Sequence, residues 1–170
     1  MKRKIKAAQN VSRMCLVCGV DNPAGLHGHF FVLDDGDLVG VFRPQEEHQG
    51  YPGRLHGGMV GAILDETIGR AINLAHGDTW GVTVKFSVRL RKPIPLDREV
   101  KAVGRITRDR DRAFEGTGEI ILEDGTIAAE AEGTYLKLPI DQIASVEFDE
   151  DEWFADPEPV PDSLEVGGRP

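Results

Sequence analysis

The chain has 170 residues, 40% of them hydrophobic, and this length and composition suit one soluble domain with an ordinary core. Its net charge of -9 comes from the C-terminal end, because residues 141–170 hold 10 acidic side chains and one basic side chain. The remaining body is neutral, which disfavours nucleic-acid binding. We find no apolar run near the roughly 18 residues of a membrane span and no secretory signal, so we expect no membrane partner and a cytoplasmic location.

The N-terminal residues form a short basic segment, and we expect residues 1–13 to be a solvated tail. Cys15 and Cys18 follow in a Cys-x-x-Cys pattern. A zinc site needs about four ligands and the chain has only two cysteines, although His27 and His29 are near in sequence. The pattern therefore favours a reduced structural pair, and we expect no metal.

The first predicted hairpin has strands at residues 30–33 and 38–42 around an Asp- and Gly-containing turn. A long apolar segment, residues 55–70, then predicts a helix that starts with glycines and carries two acids in its interior. At 100° per residue, Glu66 falls beside Arg70, and we expect a solvated ion pair between them.

Asp65 falls instead on a glycine-rich and otherwise apolar stripe of the same helix. The stripe contains Gly58, Gly61, Gly69 and Ile72. A buried carboxylate must find hydrogen-bond donors or take a raised pKa, and that environment is typical of a general base or nucleophile. The alternative is that Asp65 caps a neighbouring loop.

The sequence changes to the period of strands after the helix. Residues 82–90 alternate between apolar and polar, prolines end that run, and a further strand covers residues 100–106. Residues 114–122 and 126–138 flank Asp124 and Gly125, a strong hairpin signal. The prediction is an α+β fold in which a curved antiparallel sheet of about six strands is wrapped around one long central helix.

The segment after residue 140 predicts an acidic, proline-containing C-terminal tail, residues 141–170, for which Trp153 and Phe154 are candidate anchors to the body. We therefore divide the chain into a basic tail (1–13), one domain (14–140) and this acidic tail.

His56-Gly57-Gly58, with Asp65 nine positions after the histidine, resembles the PaaI-like hotdog-fold acyl-CoA thioesterases of the thioesterase superfamily. Residues 50–55, Thr83, residues 91–96 and the segment that opens at Cys15 fit the same resemblance, which covers about residues 14–140. It implies the hotdog fold and a homodimer whose sheets join edge to edge, with a tetramer as a dimer of dimers as the larger assembly. Two active sites would lie at the dimer interface, each built from both subunits.

The resemblance also implies catalytic roles. The backbone N–H of Gly57, together with Gly58, would polarise the thioester carbonyl at the helix N-terminus. Asp65 of the partner would attack or activate water, and Thr83 would orient the water or the aspartate, its alternative being an ordinary strand threonine. His56 is treated as a residue of the helix start and the oxyanion region rather than as the base.

One position departs from some relatives, which carry a polar Asn where this chain has Gly50. Gln49 or His48 is expected to supply that polar group. Four cations near the helix start and the end of the long strand are candidate partners for coenzyme A phosphates. They are Arg54, Arg89, Arg91 and Lys92. The alternative is that they hydrate an exposed strand face.

The leading hypothesis is therefore hydrolysis of an acyl-CoA thioester to a free acid and coenzyme A, with no cofactor other than the coenzyme A of the substrate. Two alternatives belong to other classes. One is a hotdog hydratase or dehydratase acting on enoyl thioesters, and the other is a non-catalytic acyl-CoA sensor.

Overall fold

An eight-stranded antiparallel sheet packs against one long helix in the computed structural model, which describes residues 1–167. The strands run in the order β10-β1-β3-β4-β6-β7-β8-β5. Their bounds are β1 Lys2–Ala8, β3 His29–Leu33, β4 Leu38–Phe42, β5 Trp80–Leu90, β6 Val100–Asp109, β7 Ala113–Ile121, β8 Ile127–Leu138 and β10 Ser163–Glu165. The other elements are α1 Gly57–Arg70, α2 Ile72–Ala75, a two-stranded ribbon of β2 Val11–Ser12 and β9 Trp153–Phe154, and 3-10 turns at Glu46–His48 and Ile140–Gln142.

Helix α1 lies on one face of this sheet and contacts β4, β5, β6, β7 and β8. Its buried face includes Val60, Ile63 and Ile68, as the apolar spacing of the segment predicts. The helix approaches the sheet closely, because a Cβ at Gly104 of β6 would lie 2.5 Å from the carbonyl oxygen of Thr67. Glycine at this position therefore sets the distance between helix and sheet.

All six predicted strands are present, and the predicted α+β architecture is confirmed. The sheet has two further strands, β1 and β10, which pair with each other at one end of the sheet. The first lies in the segment expected to be a solvated basic tail. Within it Ile5 is buried, and Arg3 forms ion pairs with Asp35 and Asp37 of the β3–β4 turn. Charge complementarity between distant segments therefore holds a strand whose own apolar pattern is too weak to predict it.

The acidic C-terminal segment also docks on the body. Strand β9 pairs with β2, and the Trp153 ring lies 4.9 Å from that of Trp80 in an edge-on contact. Asp156 accepts a 2.7 Å hydrogen bond from His29 Nδ1. The proposed anchoring by Trp153 and Phe154 is confirmed, while the division at residues 13 and 140 stays a prediction. Residues 168–170 of the predicted tail lie outside the described residues.

Among residues 1–167, no helix combines the length and the apolar character needed to cross a membrane. The cellular compartment stays a prediction.

Candidate active site

Asp65 lies in the middle of α1, and its carboxylate is held by two hydroxyl groups. Oδ1 accepts a 2.8 Å hydrogen bond from Thr83 Oγ1 and a 3.1 Å hydrogen bond from the Tyr135 hydroxyl. Burial raises the pKa of Asp65, the two hydrogen bonds oppose that rise, and the neighbouring Glu66 adds to it. The net pKa lies above the ordinary value of an aspartate, which makes Asp65 a stronger base than an exposed carboxylate.

The two partners of Asp65 belong to strands β5 and β8, so the carboxylate joins the helix to the sheet rather than capping a loop. Thr83 contacts Asp65 directly, as its predicted role of orienting the aspartate requires. The role itself stays a prediction.

Tyr135 is the site residue that sequence reasoning missed. Its ring is fully buried and stacks on Phe114 at 4.9 Å between centroids. Burial and the nearby Asp65 raise the pKa of its hydroxyl, which therefore stays protonated and donates to the carboxylate. A tyrosine in a buried strand needs a partner for its hydroxyl, and this was the available signal. The pairing of β8 with β5, which brings Tyr135 opposite Thr83, could not be known from one sequence.

The N-terminus of α1 offers backbone N–H donors, and two of them differ in whether they have an acceptor. His56 is the N-cap, and its Nδ1 accepts the N–H of Gly58 at 2.9 Å. The Gly57 N–H has no hydrogen-bond acceptor within residues 1–167. Gly57 is therefore free to polarise a ligand, whereas the Gly58 N–H that we predicted as a second donor is already satisfied.

The cap also defines the role of His56. Because Nδ1 accepts a hydrogen bond, the neutral ring carries its proton on Nε2 and presents a donor there. This fits the predicted role in the oxyanion region rather than that of a base.

A cleft of about 360 Å³ opens beside the helix start. Its walls come from residues 50, 51 and 54–57 with Val60, and from the end of β5 with the loop after it, residues 90–94. Three of the four predicted phosphate partners, Arg54, Arg91 and Lys92, line this cleft. Arg91 also forms an ion pair with Glu130, which neutralises part of its charge. Arg89 is not there, because it lines a different groove with Glu130 and Thr117.

The polar group expected near Gly50 is not His48. That ring is buried, with Nδ1 accepting from Gln45 N at 2.9 Å and Nε2 donating to the carbonyl oxygen of Ala24 at 3.1 Å. Gly50 itself is crowded, since a Cβ there would lie 3.1 Å from His56 Cα. Gln49 is exposed, and its role stays a prediction.

Glu66 and Arg70 form the predicted ion pair, with Nε to Oε1 at 2.7 Å. The expectation that it is solvated is wrong, because the Arg70 side chain is only 4% exposed. Its guanidinium donates to the Asn10 carbonyl oxygen at 2.8 Å and lies over the rings of Phe30 and Trp153. The N-terminal and C-terminal segments, which were expected to be tails, cover this face of the helix.

Gly57 and Asp65 lie far apart on the same helix. They are separated by eight residues, which corresponds to about 12 Å along the axis. An aspartate at that distance cannot reach a carbonyl held by the Gly57 N–H of its own chain.

Comparison with known proteins agrees with this architecture. Residues 52–129 match the family model described as the thioesterase superfamily. These residues are therefore similar to a thioesterase-superfamily domain. Human acyl-coenzyme A thioesterase THEM5 is 25% identical over 114 residues, which are 66% of this chain and 45% of that protein. The chain therefore spans about half the length of this curated relative.

Solved structures of the thioesterase superfamily have the same fold. The protein RHA08564 of that superfamily is 29% identical with a TM-score of 0.67, over 74% of this chain and 61% of that one. The PaaI protein of E. coli, from the phenylacetic acid degradation operon, is 15% identical with a TM-score of 0.60, over 66% of this chain and 80% of that one. These matches confirm the predicted hotdog fold and its resemblance to structures of the thioesterase superfamily, the PaaI protein among them.

Proposed function

We propose that this protein is an acyl-CoA thioesterase that hydrolyses its substrate to a free acid and coenzyme A. Each active site is built from the Gly57 cleft of one copy and the Asp65 of a second copy. The observation that carries the proposal is the separation of two groups on one helix. The free Gly57 N–H and the Asp65 carboxylate, whose pKa is raised, stand about 12 Å apart along its axis.

In the proposed reaction the thioester carbonyl oxygen accepts the Gly57 N–H, where the N-terminus of α1 stabilises developing negative charge. Asp65 of the partner then attacks the carbonyl carbon, or removes a proton from a water that does so. The C–S bond breaks, and the coenzyme A thiolate leaves and takes up a proton. Where Asp65 itself attacks, water then hydrolyses the acyl–Asp65 anhydride, which releases the free acid and restores the carboxylate. A raised pKa favours the basic role, because it brings the carboxylate closer to the pH at which it works.

The second copy is expected to join along β5. This strand ends the sheet, and its outer edge has no strand partner among residues 1–167. Val84 and Leu90, on this strand, are 61% and 58% exposed. Large exposed apolar side chains on an unpaired edge favour pairing with another strand, and two copies of one strand pair antiparallel around a two-fold axis. β5 also carries Thr83, so this interface would lie beside Asp65.

Coenzyme A is the proposed carrier because the cleft combines apolar walls with cations. Arg54 and Lys92 line it close to Gly57, and neither forms an ion pair within the described part of the chain. The name of THEM5 specifies acyl-coenzyme A, and a thioesterase of the same fold from Streptococcus pneumoniae TIGR4 was solved with coenzyme A, at 23% identity and a TM-score of 0.56 over 62% of this chain and 83% of that one.

The test is a thiol-release assay over short, long and aromatic acyl-CoAs. Asp65→Asn keeps the size of the side chain and removes its basicity, and we expect a loss of about 100-fold or more in kcat. Gly57→Pro removes the N–H and places the proline ring at the helix start. Proline suits the first position of a helix, and His56 before it already has the extended backbone, φ -63° and ψ 138°, that precedes proline. We expect a loss of roughly 100- to 1,000-fold.

Gly57→Ala is the matched control, because it keeps the N–H and its Cβ meets only Leu90, at 3.4 Å. It should retain activity close to that of the wild type. Unchanged turnover by Asp65→Asn across the whole panel would contradict the proposal. Addition of water to an enoyl-CoA without thiol release would favour the hydratase, and tight acyl-CoA binding without turnover by the wild type would favour the sensor.

A further inference from the structure

A second group of reactive side chains lies outside the proposed active site, where the Cys15–Cys18 turn meets the end of α1. Cys18 Sγ accepts a 2.9 Å hydrogen bond from Arg70 Nη2 and lies 3.5 Å from Ser12 Oγ. Cys15 Sγ accepts the backbone N–H of Val17 at 3.3 Å. Each sulfur atom thus accepts a hydrogen bond from an N–H group, and such donors stabilise negative charge on sulfur.

The turn itself holds the two sulfur atoms together. The Gly19 N–H donates to the Cys15 carbonyl oxygen at 2.8 Å, and a Cβ at Gly19 would lie 2.3 Å from that same oxygen. Only glycine fits there, so the residue after Cys18 is part of the geometry that closes the turn. The two sulfur atoms lie within 4.8 Å of each other.

The two thiols share one proton unequally. The hydrogen bond from the Cys15 thiol and the charge of Arg70 lower the pKa of Cys18 to about 6, against the effect of burial. The same hydrogen bond, burial and the nearby Glu66 carboxylate raise the pKa of Cys15. Arg70 thus favours the thiolate form on Cys18, while burial and Glu66 keep the proton on Cys15.

The cysteine with the lowered pKa is the more buried of the two. Cys18 is 1% exposed, whereas Cys15 is only partly buried. A reagent from solution can therefore meet Cys15 and not Cys18. The buried thiolate is adjacent, where it can take the proton of Cys15 and later attack its sulfur.

We propose that Cys15 and Cys18 form a reversible thiol–disulfide site for small soluble disulfides, in which Cys15 attacks and Cys18 resolves. Cys18 takes the proton of Cys15, the Cys15 thiolate attacks one sulfur of the disulfide, and one small thiolate leaves with a proton. Cys18, deprotonated again, attacks Cys15 Sγ, and the second small thiolate leaves and takes up a proton from solvent. One small disulfide, one protein thiol, one protein thiolate and one solvent proton become one protein disulfide and two small thiols.

The charges favour this chemistry over a metal site. Cys15, Cys18 and Glu66 bring their donor atoms within 4.8 Å of one another, which alone would suit a divalent cation. Arg70, however, already binds both anions, with Nη2 on Cys18 and Nε on Glu66 at 2.7 Å. A cation there would lie against a buried guanidinium. After disulfide formation, Arg70 and Glu66 remain as a neutral pair.

The test treats the reduced full-length protein with oxidised glutathione, then counts free thiols and measures intact mass. The wild type should lose both thiols and the mass of two hydrogen atoms, and dithiothreitol should reverse this. Cys18→Ser should stop at a stable glutathione adduct on Cys15, which should form more slowly than the wild-type disulfide because solvent must then take the proton of Cys15. Cys15→Ser should keep its one thiol and gain no adduct, because Cys18 is buried. These results separate a reactive pair from a structural one.

Three results would overturn the proposal. The first is a wild type that keeps both thiols in excess oxidised glutathione. The second is a Cys15→Ser variant that gains the adduct while Cys18→Ser does not. The third is one tightly bound divalent metal per chain that blocks oxidation until a chelator removes it. Thermal unfolding of both serine variants, followed by circular dichroism, verifies that each is folded in the assay.

Discussion

Two hydroxyl groups adjust the basicity of Asp65. Burial alone would push its pKa upward and leave more of the carboxyl group protonated, while the hydrogen bonds from Thr83 and Tyr135 stabilise the ionised form. Only the ionised form can act as a base or nucleophile. These hydroxyls therefore determine how far into acidic solution the proposed enzyme stays active.

Removing either hydroxyl should shift the acidic limb of the pH–rate profile. In the wild type, kcat/KM should rise with pH through the pKa of Asp65 and then level off. Thr83→Val and Tyr135→Phe each remove a bond that lowers this pKa, so the limb should move to higher pH. The measurement is log kcat/KM against pH. Ser87→Ala on the same strand is the control, since no hydrogen bond joins Ser87 to Asp65. A limb that moves to lower pH would contradict this assignment.

Strand β5 lies beside both Asp65 and the Gly57 cleft. Near its start it carries Thr83, which binds Asp65, and at its end Leu90 enters the wall of the Gly57 cleft. The cations after it continue the same wall, while Arg89 faces another groove. Sequence spacing grouped Arg89 with its neighbours, and the structure separates it from them.

This separation provides a matched pair of variants for coenzyme A binding. Lys92→Ala and Arg54→Ala should each raise KM for acyl-CoA about two- to five-fold with little change in kcat, as loss of an exposed charge contact does. Arg89→Ala should leave KM unchanged. With an acyl thioester of N-acetylcysteamine, which has no phosphates, the two variants should match the wild type. An equal KM increase with that substrate would rule out a phosphate contact.

Helix α1 and strand β6 meet at Gly104 without room for a side chain. The nearest atom to an added Cβ is the Thr67 carbonyl oxygen, which belongs to the helix backbone and cannot move alone. Gly104→Ala should lower the free energy of unfolding by about 1–3 kcal/mol, measured by urea denaturation. Gly77→Ala, where nothing lies within 4 Å of an added Cβ, should change stability little. Equal stability of the two variants would contradict this packing.

At the scale of the whole molecule, the central body was predictable and its ends were not. Strong apolar periodicity and turn signals identified α1 and the six predicted strands, and Asp65 was singled out from its place on the helix. Strand β1 has a single buried apolar side chain. The strand is held in place by its ion pairs with Asp35 and Asp37 and by its pairing with β10. Burial of Arg70 and the Tyr135 bond likewise depend on contacts between distant segments, which periodicity in one sequence does not encode.

The proposed division of the site between two subunits makes a quantitative prediction for mixed assemblies. We expect a two-fold dimer in which each site takes Asp65 from one subunit and Gly57 from the other. A heterodimer of Asp65→Asn and Gly57→Pro subunits would then have one doubly defective site and one intact site. Random mixing makes about half of the dimers mixed, so two nearly inactive variants together should recover about a quarter of the wild-type rate.

The measurement is thiol release after the two variants are co-expressed, with native mass spectrometry to count heterodimers. Each variant mixed with itself should stay inactive, and a double variant mixed with either single variant should recover nothing. Heterodimers that form without recovery would mean that Asp65 and Gly57 do not act across the interface. A protein that turns over substrate as a monomer would exclude the shared site. Asp65 and Gly57 of one chain lie about 12 Å apart along the helix and cannot act on the same carbonyl, so a monomer would have to use other groups.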